Sequence, residues 1–217
     1  MLKLINELNQ KSDIHGILVQ LPLPKHIDEH LIVNSILPHK DVDGFTPVNL
    51  GNLVSENIII APATARAVLH LVESTGISIE GKNAVIVGRS NIVGKPVALM
   101  LLEKNATVTI CHSKTKNLAE HTRKADILVV AVGKPKLITK EMVKENAVVI
   151  DVGINRVNEK VVGDVDFENV KEVAGYITPV PGGVGPMTIA MLMDNTLKAM
   201  ELANKRRILQ TKNPSKT

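Results

Sequence analysis

Tryptophan is absent from the chain, and Phe45, Phe167 and Tyr176 are its whole aromatic complement. The aromatic platforms on which unpaired bases stack are therefore missing, which argues against nucleic acid as a partner. Val, Ile, Leu and Met must fill the interior instead. One cysteine, Cys111, excludes an internal disulfide and reads as a buried thiol in a reducing compartment, and no group of cysteines and histidines has zinc-site spacing. No run approaches the roughly 18 apolar residues of a membrane span, and the first residues have neither a signal-peptide core nor a transit-peptide composition. The expectation is a cytoplasmic protein with no membrane partner. Charge is barely one-sided at +4 over 217 residues, which suits anionic small ligands and separates few classes. The basic run Lys205, Arg206 and Arg207 reads as a solvated helix end.

What the chain does hold is centred on residues 85–96, VIVGRSNIVGKP. Val85, Ile86 and Val87 form an unbroken β-branched run, the mark of a parallel strand covered on both faces. Gly88 permits a tight turn, and from Val93 the apolar positions Val93, Pro96, Val97 and Met100 share one helical face, with Pro96 in the first turn. A strand, a glycine turn and a helix start bring free backbone N–H groups and the positive helix end to one point, which is an anion site suited to a dinucleotide pyrophosphate. The glycine spacing departs from G-x-G-x-x-G, so the signal is a variant, and a plain strand-helix corner is the competing interpretation.

From residue 82 onward strands and helices alternate. Strands are expected at 84–87, 106–110, 127–130 and 147–150, and helices after Gly94, over 118–124 and near Thr139. This is a doubly wound α/β domain, whose ligands sit beyond the carboxyl ends of the strands. Those ends carry GRS (88–90), CHSKT (111–115), AVGKP (131–135) and DVGIN (151–155), all on one rim. At the second strand end, where an acid would bind a ribose 2′-hydroxyl, stand His112, Ser113 and Lys114, and Arg89 lies in the glycine turn. Donors and positive charge there suit the 2′-phosphate of NADP, a solvated basic loop being the alternative.

The first 60 residues are harder to close into a domain. Met1, Leu4, Ile5 and Leu8 keep helical spacing with no capping residue before them. GILVQ (16–20) reads as a buried parallel strand stopped by LPLP, 57–60 as a possible short extra strand, and 28–36 as a helix. One strand cannot make a sheet, so this domain is expected to be incomplete. In KDVDGF (40–45) two acids flank a valine, consistent either with a donor-rich ligand or with a turn that uses its aspartates as backbone acceptors. Residues 62–73 form an amphipathic helix ended by Gly76, and GDVDF (163–167) a hairpin followed by a helix start. TPVPGGVGPMT (178–188) is a rigid, glycine-permissive loop before a last helix.

Taken in order, GILVQLPLP, KDVDGF, GRSNIVGKP, CHSKT, DVGIN, GDVDF and TPVPGGVGPMT resemble the bifunctional methylenetetrahydrofolate dehydrogenase/methenyltetrahydrofolate cyclohydrolase family, of FolD type. The resemblance runs from about residue 13 to residue 200. It implies a doubly wound Rossmann-type NADP domain over 61–185 and an incomplete N-terminal α/β catalytic, folate-binding domain over 1–60. The last helix, 186–203, would return to the first domain, and a basic tail would fill 204–217. The implied chemistry is NADP-dependent oxidation of 5,10-methylenetetrahydrofolate to the methenyl form, then hydrolysis to 10-formyltetrahydrofolate. It also implies a homodimer and a place in one-carbon metabolism serving purine biosynthesis. Gln20 and Asp43 fall on catalytic positions, Asp43 also binding the pterin. Gly88, Arg89, Ser90, Ser113 and Ile154 fall on NADP positions, and Pro181, Gly182 and Gly183 on the substrate side; no metal is implied.

Two departures stand out. APATARA (61–67) has Ala65 and Ala67 where the family has proline and glycine. The family's Y-x-x-x-K motif, source of its catalytic lysine, has no match before Gln20, Tyr176 being the chain's one tyrosine. On this reading the chain is N-terminally truncated and its turnover doubtful. A non-catalytic NADP-binding remnant and another NADP-dependent dehydrogenase are the alternatives.

Overall fold

The computed structural model describes the backbone of residues 1–212 and the side chains of residues 1–205. In chain order the elements are α1 (Leu2–Gln10), α2 (Glu29–Asn34), α3 (Pro47–Val54), α4 (Ala63–Ser74), β1 (Asn83–Val87), α5 (Gly94–Glu103), β2 (Thr107–Cys111), α6 (Leu118–Thr122) and β3 (Ile127–Val130). They continue as β4 (Val148–Asp151), β5 (Asn155–Val157), β6 (Lys160–Val162), α7 (Phe167–Val170), β7 (Tyr176–Ile177) and α8 (Val184–Lys212), with a 3-10 turn at Lys140–Met142 between β3 and β4. The chain divides into two units: Met1–Ala63 with the chain from Met191 onward, and Thr64–Ala190.

The second unit is built on a parallel sheet in the order β2-β1-β3-β4-β7. Every residue of β3, ILVV, has no solvent exposure, which is why its apolar run is unbroken. The chain leaves β1 for β2 on one side and returns to β3 on the other, so the switch point lies between the carboxyl ends of β1 and β3. One core cluster joins Val85, Val87, Leu128, Val130 and Val149 to Ile138, Val165 and Val170, and Cys111 is buried within it. β5 and β6 form a separate antiparallel hairpin. β7, two residues long, was not foreseen from sequence.

The first unit is helical among its described residues. Asp28 caps α2 by accepting from Leu31 N at 3.1 Å. α3 starts with Thr46 at its N-cap and Pro47 in the first turn, a start signal not read in the sequence. Ile5, Ile17, Ile32 and Ile36 pack as one cluster; Val42, Ile60 and Ala199 form another.

Three expectations need correction. GILVQ is not a strand: Ile17 makes one isolated parallel bridge to Asp41, its N–H donating to Lys40 O at 2.7 Å, while Leu18 is 43% exposed. An apolar run alone does not secure a strand when its neighbour offers a single pairing residue and prolines follow. Residues 57–60 form no strand either. The last helix does not end at 203 but continues to Lys212, so most of the expected tail is helical. Residues 201–212 contain neither glycine nor proline to interrupt it. Residues 213–217 of the expected tail lie outside the described residues.

Candidate active site

The rim of the second unit starts at Gly88. Its φ is +132°, and a Cβ there would stand 2.3 Å from Ala131 O, at the end of the neighbouring β3. Gly94 opens α5 so close to this turn that a Cβ would lie 2.2 Å from Gly88 O. The glycines thus let the helix start and two strand ends meet without side chains between them. Ser90 Oγ accepts from Val93 N at 3.1 Å and Gly94 N at 3.3 Å, which fixes the first turn and leaves the hydroxyl proton to donate outward. Arg89 is exposed and pairs with nothing among the described residues.

At the end of β2 burial pushes the Cys111 thiol up, away from reactivity. The residues after it are locked by three bonds. His112 N donates to Thr115 Oγ1 at 2.9 Å, Lys114 N to His112 Nδ1 at 3.1 Å, and Thr115 N to His112 O at 2.8 Å. Ser113 stands exposed at the tip of this turn. No acid occurs in 88–95 or 111–117, and Arg89, Lys95, Lys114 and Lys116 supply positive charge. The site fits NADP on these grounds: a side-chain-free cradle at a helix start, with bases and no opposing carboxylate.

The loops after β3 and β4 are held by two buried carboxylates that sequence reasoning passed over. Asp164, with no solvent exposure, accepts from Val132 N at 2.7 Å and Gly133 N at 2.9 Å through Oδ2, and from Lys134 N and Asn155 Nδ2, each at 2.8 Å, through Oδ1. Asp151 accepts from Gly153 N at 2.9 Å and Asp164 N at 3.0 Å through Oδ1, and from Val165 N at 2.9 Å through Oδ2. Burial raises the Asp151 pKa while these N–H groups pull it down. A Cβ at Gly163 would stand 1.9 Å from Asp151 Oδ2, and one at Gly153 2.2 Å from Asp164 Cγ. The sequence signal was the pairing of acids with glycines in DVG and GDV. Ile154, between these anchors, is 70% exposed.

Thr178 Oγ1 accepts from Asp151 N at 2.8 Å and leads into the loop of Pro181, Gly182 and Gly183. There the Val180–Pro181 bond is cis, Gly182 has φ +102°, and a Cβ on Gly183 would meet Pro179 O at 2.5 Å. Gly182 and Gly183 also line a cavity of about 470 Å³ with Ile150, Ile177, Pro186 and Met187.

In the first unit KDVDGF separates into distinct parts. Asp41 accepts from Gly44 N at 2.9 Å through Oδ1 and from Thr46 N at 2.7 Å and Asn49 Nδ2 at 2.9 Å through Oδ2. It is the acceptor of the turn. Asp43 makes no hydrogen bond or ion pair among the described residues, and burial together with the neighbouring Asp41 pushes its pKa up to about 6. Gly44, at φ +74°, lets the turn abut Ala61 and Pro62, where a Cβ would come within 2.7 Å of backbone. Gln20 is exposed and donates to Leu21 O at 3.2 Å, immediately before the cis Leu21–Pro22 bond.

Residues 62–204 match the NAD(P)-binding domain of the family described as tetrahydrofolate dehydrogenase/cyclohydrolase, and residues 1–43 match its catalytic domain. The bifunctional protein FolD of Moorella thermoacetica is 63% identical over 92% of this chain and 71% of its own length. The crystal structure of the bifunctional FolD dehydrogenase/cyclohydrolase of Campylobacter jejuni superposes with a TM-score of 0.89 at 54% identity, covering 94% of this chain and 72% of that one. The FolD of Trypanosoma brucei, solved with NADP cofactor and an inhibitor, does so at 0.90 with 44% identity, covering 93% and 72%. With both domain types matched in order and the glycine cradle in place, the chain belongs to the tetrahydrofolate dehydrogenase/cyclohydrolase family.

Proposed function

We propose that the chain binds NADP along the rim of its second unit, oxidises 5,10-methylenetetrahydrofolate to 5,10-methenyltetrahydrofolate, and hydrolyses that product to 10-formyltetrahydrofolate. NADP supplies the hydride acceptor when bound. Gly88, Ser90 and the start of α5 receive the pyrophosphate, Arg89 and Ser113 the 2′-phosphate, and Ile154 offers an exposed apolar surface to the cofactor. On the substrate side Asp43 can accept two parallel N–H bonds from an aminopyrimidine, because its carboxylate is not spent on the turn as that of Asp41 is. Gln20, in the separate QLPLP motif, has by the resemblance the role of positioning the family's catalytic lysine, and Pro181, Gly182 and Gly183 provide backbone that a ligand can approach. The remnant and unrelated-dehydrogenase readings are not favoured, since the relatives that match over both domains carry the bifunctional name. Homodimeric assembly, a cytoplasmic location and service to purine biosynthesis complete the proposal; no described helix is long and apolar enough to cross a membrane.

The observation that carries the cofactor assignment is the base-bearing, acid-free rim around the glycine cradle. Arg89→Ala should weaken NADP binding selectively by roughly 1.5–3 kcal/mol, the worth of a charge-assisted contact, and leave NAD nearly unaffected. A titration in which both nucleotides weaken equally would remove Arg89 from the 2′-phosphate.

A further inference from the structure

The rim loops have no regular structure of their own, yet a cofactor needs their backbone held in place. The loop 131–135 begins at Ala131, whose carbonyl forms the wall facing Gly88 at the switch point. Its next three N–H groups, those of Val132, Gly133 and Lys134, all converge on the Asp164 carboxylate. The fourth donor on that carboxylate is Asn155 Nδ2, from the residue after Ile154. Three backbone donors of one loop and the side chain of the residue that opens β5, where the loop after β4 ends, thus fill one acceptor-only group. Asp164 is itself fixed, its N–H bonded to Asp151 Oδ1 at the end of β4. The chain of bonds runs from strand end to carboxylate to both loops.

We propose that Asp164 is a positioning residue of the NADP site: it touches no cofactor and sets affinity by clamping the loops after β3 and β4 against each other. The proposal rests on the reading that NADP occupies this rim. The energetic basis is pre-organisation. A loop already ordered need not be ordered by the ligand, so releasing it lowers affinity without removing any contact to the ligand. Asp164→Asn keeps the shape but turns an amide N–H₂ toward backbone N–H groups, which leaves one or more of them unpaired.

The test compares wild type, Asp164→Asn and Asn155→Ala in titrations with NADP and, separately, with 5,10-methenyltetrahydrofolate. Amide hydrogen exchange is followed at residues 132–134. Wild type that fails to bind NADP would overturn the functional reading itself. Given binding by wild type, a folded Asp164→Asn should lose about tenfold or more in NADP affinity, keep its folate affinity and exchange faster at 132–134. Unchanged NADP affinity, or equal loss for both ligands, would overturn the proposal. Asn155→Ala removes one donor of four and decides the matter if Asp164→Asn does not fold. It should weaken NADP a fewfold and quicken exchange at 132–134, and no change in either would be equally fatal.

Discussion

Asp41 and Asp43 stand two positions apart and have opposite fates. The turn needs one acceptor, and Asp41 fills that role through three bonds, leaving Asp43 half-buried with no donor facing it among the described residues. A carboxyl raised from 3.8 to about 6 holds its proton more tightly in the folded chain than in the unfolded one. Stability is therefore lost as pH rises through that window, and the full cost is in place above about pH 6. Asp43→Asn should accordingly stabilise the chain at pH 8 by ~2 kcal/mol, a gain that vanishes by about pH 4. Asp43→Ala should abolish folate binding and leave NADP binding intact. Thermal melts across pH and paired titrations check these outcomes; equal melting at pH 8 would mean that the carboxyl is not destabilising. A side chain kept where it weakens the fold is the usual mark of a ligand-binding position. The sequence showed that two acids were present, and left open which served the turn, because that depends on which N–H groups the backbone turns inward.

Among the elements, those of the second unit were the most legible. Their strands are apolar runs bounded by glycine and polar turns, and each has neighbours on which to form a ladder. GILVQ looked the same in one dimension but found one pairing residue, which no pattern within the run reports. β7 was too short for any period to show, and α3 was overlooked although Thr46 and Pro47 announce it. The carboxylate network lay beyond pattern reading because its partners are 30 to 32 positions apart in the chain. Lys40 gives a further case of long-range bonding. Its buried ammonium donates to Leu8 O at 2.9 Å, Asn9 O at 2.8 Å and Lys11 O at 2.7 Å, closing the carboxyl end of α1 where the helix dipole is negative. Burial lowers its pKa, with Asp13 opposing. Lys40→Met should cost roughly 1.5–3 kcal/mol, since three part-buried bonds to a charged donor are lost. A urea midpoint matching wild type would show that water replaces the ammonium at no cost.

For the chain as an assembly, the expectation is a pair of identical protomers. β2 is an edge strand of the second unit's sheet, and Ile110 on it is 40% exposed. An uncovered edge with an apolar residue is a pairing liability that a second copy would remove. Light scattering on the purified chain should give about twice its mass of 23.5 kDa at micromolar concentration. A monomer at that concentration would refute the dimer.

The reciprocal fit of glycine to carboxylate on the rim also constrains how this sequence can change. Gly163 makes room for Asp151, and Gly153 makes room for Asp164, with clearances that no methyl group could enter. A random substitution at either glycine collides with an acid; loss of Asp164 strands three backbone donors of the loop after β3, and loss of Asp151 strands those of Gly153, Asp164 and Val165. Each single step downhill is therefore blocked, and a viable path must alter glycine and aspartate together. Selection would see the four positions as a single heritable unit, although they are spread over fourteen residues of chain.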